Sequence, residues 1–398
     1  MKTVLIVSHT MELGGAERAL LGLLEHIDHS SYHVDLFLLR HQGELLKYIP
    51  EEVNCLSEDP SYSCLAVPIT EVLKKRKLNI AFYRYLGKKK AIKRVKELGF
   101  SSDNGVGLEY SHKYTEKCMP MISNKEYDVA ISFLTPHYFV RDKVKAKKKI
   151  AWIHTDYSEV AIDTESELPV WAAFDEIVAV SDGVKEQFLK TFPSLSDKIT
   201  VIENILPMQM ILKQAEEKID LPYSKEKVNI LSVGRFSYAK NFDNVPEILQ
   251  YIHKEIPSVK WYLIGYGGDE DLIRRKIHEY GMEDDVIIIG KKENPYPYIK
   301  ACDLYVQPSR YEGKSITVRE AQILGKPVII TNYKTAASQL EDGVDGVIVP
   351  MDTADCAERI TQLLRDKKRT KQLVNQCINK DFTNKNEIIK LYNLIENI

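Results

Sequence analysis

ACDLYVQPSRYEGKSITVREAQILGKPVIIT, running from Ala301 to Thr331, decides the fold. It reads strand, loop, helix, strand. LYVQPS is a short apolar run that stops at Pro308, and RYEGKS is a polar loop bearing a glycine. ITVREAQIL then spaces Ile316, Ala321, Ile323 and Leu324 helically before Gly325, and PVIIT is a second buried strand. Two strands joined through a helix form a parallel unit, and in open parallel sheets ligands bind at the carboxyl edge. Glu312 lies on the loop leaving that edge, and Glu320 about one turn into the helix. Backbone N–H groups at a helix start suit phosphate oxygens, and a carboxylate further along can accept from both hydroxyls of a ribose. A solvated loop acid and a surface helix acid are the alternative for the same two residues.

The same alternation extends over the whole chain. Thr3–His9, His33–Leu39, Asp128–Phe133, Lys148–His154, Glu176–Ser181 and Ile199–Asn204 read as one series of buried strands. Val228–Gly234, Val259–Gly265, Asp285–Gly290, Leu304–Ser309, Pro327–Thr331 and Gly346–Pro350 form a second. Two such series predict two doubly wound α/β domains with parallel sheets. A chain of 398 residues is also too long for one typical core. The expected division is residues 1–207, with an insertion of unassigned shape at about 55–125, then 208–383, with a helix over 384–398 returning to the first domain. A polar helical connection is expected over Lys213 to Glu217.

Composition excludes several classes. No apolar run approaches the roughly 18 residues of a membrane span, and Val4 to Val7 is too short a core for a signal peptide. Six scattered cysteines without a CxxC pair argue for a reducing compartment and against a zinc site. The net charge of −2 hides an asymmetry. Residues 1–150 carry 24 Lys and Arg against 18 Asp and Glu, whereas residues 151–398 carry 31 against 39. Lys74 to Leu98 interleaves Leu78, Phe82, Tyr85, Leu86, Ile92 and Val95 with cations, and Lys143 to Ile150 is also basic. Such a stretch suits an anionic membrane surface, with a solvated helical face as the alternative. No nucleic-acid recognition motif accompanies the charge.

Other strand ends carry suggestive groups. Gly14 and Gly15 open a helix after the first strand, without the G-x-G-x-x-G spacing of a dinucleotide fold. Arg235 and Lys240 follow Val228–Gly234 and suit a diphosphate, Arg through its fork and Lys as a point charge. Asp269, Glu270 and Asp271 could imitate a metal-binding DxD, but acids at this spacing more simply open a helix. His154 ends a strand at the same kind of edge, and Ser181 sits at an N-cap position.

In order, GGAER, WIHTD, VAVSDGV, VGRFSYAKN, LIGYGGDE, VIIIGKKEN and PSRYEGKSITVREAQILGKPVIIT carry a family resemblance over nearly the whole chain. It resembles the retaining glycosyltransferases of family 4 (group 1), which have the GT-B fold of two Rossmann-like domains facing a central cleft. The resemblance implies transfer of a sugar from a nucleotide-diphosphate donor, UDP-linked, to a glycan, lipid-linked or polyanionic acceptor in surface polysaccharide synthesis. It implies no metal and no cofactor beyond the donor as co-substrate, and a cytoplasmic enzyme, peripheral at the inner membrane face if the basic stretch binds lipid. Arg235 and Lys240 match the family's diphosphate cations, Glu320 its ribose acid and Glu312 the acid facing the donor sugar. Backbone N–H groups from Lys314 through Ser315 to Ile316 match its oxygen-holding loop, and Lys291 and Lys292 the rim near the base. His154 matches a histidine near the sugar, and Gly14 and Gly15 the loop facing the diphosphate and acceptor. Lys314 and Ser315 replace a usual Phe-Gly, Ile205 stands where the hinge usually has Gly, and Tyr238 and Asn241 flank Lys240 in place of Leu and Gly. A nucleotide-sugar epimerase of the same fold and a non-catalytic nucleotide-sugar-binding protein are the alternatives.

Overall fold

The computed structural model describes residues 1–396 apart from 13, 101–104, 156, 158, 159, 221, 225 and 313. The chain divides into two compact units, Met1–Pro207 with Asn384–Ile398, and Met208–Thr383.

The first unit holds β1 (Lys2–Ser8), β2 (Tyr32–Leu38), β3 (Asn54–Cys55), β4 (Glu126–Ser132), β5 (Lys145–Ile153), β6 (Glu176–Ala179) and β7 (Ile199–Val201). They form one parallel sheet in the order β3-β2-β1-β4-β5-β6-β7. In the second unit β8 (Val228–Val233), β9 (Val259–Ile264), β10 (Val286–Gly290), β11 (Leu304–Gln307), β12 (Val328–Thr331) and β13 (Val347–Val349) pair as β10-β9-β8-β11-β12-β13, again all parallel. Helices on both faces explain why these strands are continuous apolar runs and not alternating ones. Each order reverses once, between β1 and β4 and between β8 and β11. Those are the topological switch points where loops diverge and leave a crevice.

Two expectations need adjustment. The connection after β7 is the helix Met208–Ala215, which starts before Lys213 because Met210, Ile211 and Ala215 give it a buried face. The insertion is helical: Ile69–Lys74, Leu78–Glu97 and Val106–Thr115 account for most of it. Its long helix buries only Ile80, Ala81, Gly87 and Ala91, while Leu78, Phe82, Tyr85 and Ile92 stay exposed. Arg94 fastens it to the sheet side, its Nε donating to Asp163 Oδ2 at 2.8 Å and Nη2 to Oδ1 at 3.0 Å. Asp163 in turn caps the helix Thr164–Ala172. Among the described residues no helix is long and apolar enough to cross a membrane.

The last helix, Ile388–Glu396, joins the first unit. Tyr392 stacks on Tyr32 with ring centroids 5.0 Å apart, and Lys2 Nζ lies 2.8 Å from Glu396 Oε2.

The helix Gly15–His26 runs so close to the end of the first unit that Gly22 has no room for a side chain. A Cβ there would stand 1.9 Å from the carbonyl oxygen of Ile205 and 2.5 Å from its carbon. Ile205, the residue in place of the usual hinge glycine, is itself buried. Alanine is the better helix former by about 1 kcal/mol, but overpacking against backbone costs about 1–3 kcal/mol. Gly22→Ala should therefore lose about 1–2 kcal/mol in urea unfolding, by a lower midpoint at unchanged slope. An unchanged or raised midpoint would refute the close approach.

Candidate functional site

Three of the expected residues, Arg235, Lys240 and Glu312, are on the loops at the β8–β11 switch point. Lys240 follows β8, and its ammonium meets the Glu312 carboxylate on the loop after β11. Both side chains are largely shielded, so the pair is an internal counter-ion arrangement and not a surface bridge. Ser309 Oγ also donates to Glu312 Oε1 at 2.7 Å, and Thr335 Oγ1 donates to the Glu312 carbonyl at 2.6 Å. Arg235 is exposed and makes no hydrogen bond or ion pair among the described residues, which leaves its fork available to an anion. The turn that follows Lys240 is braced by two contacts. Asn241, in the left-handed region at φ 58°, donates from Nδ2 to the carbonyl of Pro308 at 2.9 Å. Arg310 grips both oxygens of Asp243 at 2.8 and 2.7 Å. Left-handed backbone suits Asn almost as well as the Gly that the family pattern prefers.

Glu320 is on the helix Ile316–Ile323 and is fully buried, so neither the solvated-acid reading nor a freely exposed ligand group describes it. Its Oε1 accepts from the Tyr296 hydroxyl at 2.7 Å. The loop N–H groups are not all free either. Ser315 N–H already donates to Gln339 Oε1 at 2.6 Å, and Gln339 Nε2 donates back to the Ser315 carbonyl at 3.2 Å. Of the run from Lys314 to Ile316, Ser315 thus serves the loop's own shape. Gly313, the loop glycine, lies outside the described residues. Lys292 and Lys291 are exposed beyond β10, their ammonium groups 5.9 and 5.2 Å from the rings of Tyr298 and Tyr266. Asp269 to Asp271 open the helix Glu270–Glu279, with Glu270 paired to Arg274 at 2.7 Å.

Gly14, Gly15 and His154 belong to the first unit. Gly14 precedes the helix Gly15–His26, but Glu17 folds over it: a Cβ on Gly14 would fall 2.0 Å from Glu17 Oε2. The helix start is thus already faced by a carboxylate, and burial raises that carboxyl's pKa. A phosphate here would have to meet a protonated or displaced Glu17. His154 packs on Phe133 with centroids 4.6 Å apart, and its Nε2 has no partner among the described residues. Burial pushes its imidazole down to about 3, so it is neutral and a weak base. Two further histidines share this edge. His9 follows β1 and His137 follows β4, and burial pushes them to about 4 and about 3. Sequence reasoning singled out only His154, although all three end or follow apolar strands and that signal was equally present for each.

Tyr296, Ser309, Thr335 and Gln339 were not foreseen. Ser309 is only three residues from Glu312 on the same loop, whereas Tyr296, Thr335 and Gln339 are 23 or 24 residues from the groups they meet and reach the site through the tertiary fold. Among the described residues no group of three or more His, Cys, Asp or Glu could hold a metal ion.

Residues 213–380 match the family described as glycosyl transferases group 1. Curated relatives include a Campylobacter jejuni N-acetylgalactosamine-N,N'-diacetylbacillosaminyl-diphospho-undecaprenol 4-alpha-N-acetylgalactosaminyltransferase, 28% identical over 205 residues, 51% of this chain and 54% of that protein. An uncharacterized 41.2 kDa protein of the Klebsiella pneumoniae cps region is 28% identical over 246 residues, 59% of this chain and 61% of that protein. The chain thus matches little more than half the length of these relatives. Among solved structures, Anabaena HepE in complex with UDP-glucose aligns over 100% of both chains with a TM-score of 0.60 at 14% identity. A variant of S. aureus TarM, in complex with Fondaparinux, alpha-GlcNAc-glycerol and UDP, aligns over 99% of this chain and 100% of its own with a TM-score of 0.64 at 14% identity. The two parallel-sheet Rossmann-like domains are those of the GT-B fold, and over residues 213–380 the chain is similar to the glycosyl transferases group 1.

Proposed function

We propose that this protein is a retaining glycosyltransferase that moves a sugar from a UDP-linked donor to a glycan or lipid-linked acceptor in surface polysaccharide synthesis. The observation that carries the proposal is the convergence of Arg235, Lys240 and Glu312 at the β8–β11 switch point, backed by Glu320. The names of the relatives support the reaction class, and the bound UDP compounds of HepE and TarM support the donor. Breaking a glycosyl–phosphate bond leaves negative charge on the diphosphate while the sugar becomes oxocarbenium-like. Arg235 would take that charge through two N–H groups and Lys240 as a point cation. A donor entering between Lys240 and Glu312 would give the ammonium a phosphate and leave the carboxylate to a sugar hydroxyl. The leaving phosphate can take the acceptor's proton on the same face, which retains configuration and leaves Glu312 a positioning role.

The two carboxylates separate experimentally. Glu312→Gln should leave the Kd for UDP within about threefold, yet lower kcat by about a hundredfold or more. Glu320→Gln keeps an oxygen for Tyr296 but loses the charge, and should weaken UDP about tenfold, some 1.4 kcal/mol. Equal UDP affinities for both variants in titration calorimetry would show that Glu320 supports the fold and does not hold the ribose.

Because the leaving charge falls on protein cations, EDTA should leave the transfer rate unchanged. Complete loss restored by Mg²⁺ or Mn²⁺ would overturn this account.

The acceptor side bears the basic excess. On the helix Leu78–Glu97 the exposed Leu78, Phe82, Tyr85 and Ile92 recur at intervals of three, four and seven residues, so they share one face with Lys89, Lys93 and Lys96. An apolar stripe among lysines suits the headgroup region of an anionic bilayer, each cation adding about 1 kcal/mol. The chain should sediment with anionic vesicles more than with neutral ones, less as salt rises, and less when Lys88, Lys89 and Lys90 become Glu. Equal or absent sedimentation with both vesicle types would make this face a solvated one.

A further inference from the structure

All four residues of β11 are buried, and the last of them, Gln307, is an amide with no exposed surface. A buried amide needs partners at both ends, and the partners it finds fix which way it faces. Gln307 Nε2 donates to Ser309 Oγ at 3.0 Å. Its Oε1 accepts from the Tyr305 hydroxyl at 2.8 Å and, at 3.4 Å, from Thr317 Oγ1. Each of these groups leads further. The Tyr305 hydroxyl also lies 3.5 Å from the carbonyl oxygen of Val233, at the end of β8. Thr317 Oγ1 lies 3.0 Å from Ser315 Oγ, at the start of the helix Ile316–Ile323. Ser309 Oγ donates to Glu312 Oε1 at 2.7 Å. One amide thus joins the end of β8, the helix start and the Glu312 carboxylate.

The protons give this network a direction. A serine hydroxyl has one hydrogen to donate, and an ionised carboxylate can only accept. The hydrogen of Ser309 is therefore committed to Glu312, and Ser309 Oγ must receive its other hydrogen bond from a donor. Only the nitrogen end of Gln307 supplies one. With the amide turned over, its oxygen would face Ser309 and compete with Glu312 for the same hydrogen. The Tyr305 hydroxyl opposes that turn, because its nearest other acceptor is the Val233 carbonyl at 3.5 Å, so it holds the amide oxygen on its own side. At the far end, Lys240 and Ser309 both meet Oε1 of Glu312, so the carboxylate cannot swing without losing both partners. Its Oε2 makes no hydrogen bond among the described residues, and the side chain keeps 11% of its surface exposed. That second oxygen is the one left for a ligand.

We propose that Gln307 is a positioning residue that acts through Ser309 to aim Glu312, so that Oε2 is presented to the sugar of the donor. This assignment rests on the transfer reaction proposed above. Gln307→Met keeps the length of the side chain and loses both ends of the amide. Ser309→Ala removes the hydroxyl that relays it, and a double variant combines the two. Gln307→Glu keeps an acceptor for Tyr305, but the introduced carboxyl can donate to Ser309 only while protonated. Full chains are compared by UDP release from UDP-glucose, UDP-galactose and their N-acetylamino counterparts, and by titration calorimetry with UDP and the same four donors. Gln307→Met should leave the Kd for UDP within about threefold and lower kcat about tenfold to a hundredfold, the loss that a hydrogen bond to a charged group carries. Ser309→Ala should match it, and the double variant should be no worse than either, because both changes cut one relay. Gln307→Glu should turn over the donor best at low pH, where its carboxyl is neutral and amide-like, and fall as pH rises. The unaltered chain should lack that fall.

An unchanged kcat in Gln307→Met, losses that add in the double variant, or no pH-dependent fall in Gln307→Glu overturns the proposal. A Kd for UDP that weakens in step with kcat also overturns it, since the amide would then support the fold alone. The pH profile and Ser309→Ala decide the matter if Gln307→Met does not fold. UDP binding without release from any donor would overturn the transferase reading instead. The assignment is then read from the affinity of a donor relative to UDP: Gln307→Met should erase that difference, and an undiminished difference overturns the assignment.

Discussion

Every strand in both sheets runs parallel to its neighbours, and that constraint fixes where chemistry can occur. Parallel strands must all deliver their outgoing loops to one edge, and the order reversal between β8 and β11 separates two of those loops enough to admit a ligand. Arg235 and Lys240 are on one of these loops and Glu312 is on the other. The Lys240–Glu312 pair is thus produced by topology before any particular substrate is considered. Its shielding from water strengthens the attraction of the two charges and also raises the cost of leaving either one alone.

The first unit solves the matching problem with opposite chemistry. Its carboxyl edge gathers His9, His137 and His154 as neutral imidazoles, because burial removes their charge. The second unit carries formal charges at this edge, whereas in the first the three imidazoles are neutral and the nearby charge is the Glu17 carboxyl at a helix start.

The strands were legible because a strand buried on both faces leaves an unbroken apolar run, as in Val4–Val7 and Ile329–Ile330. Glu312 and Glu320 were legible by spacing and by the loop between them. Tyr296 and Gln339 were not, since each is 24 residues from the group it holds and meets it only through the fold. The insertion resisted reading for another reason. The helix Leu78–Glu97 leaves much of its apolar character on the exposed side, so hydrophobic period no longer marks a core face. The burial of Glu320 and the occupation of Ser315 N–H likewise depend on neighbours that no local pattern names.

The return of Ile388–Glu396 to the first unit has a consequence for how the molecule is made. Its Tyr392 completes a ring stack with Tyr32, and its Glu396 neutralises Lys2, so strands made before the second unit wait for residues made after it. During synthesis all of Met208–Thr383 emerges in between. The second unit can fold as an uninterrupted stretch while the first stays unfinished, an inversion of the usual order in which the domain made first is completed first. Cutting the chain at residue 207 would accordingly free a first domain lacking part of its own surface, whereas the second is bounded by two severable crossings.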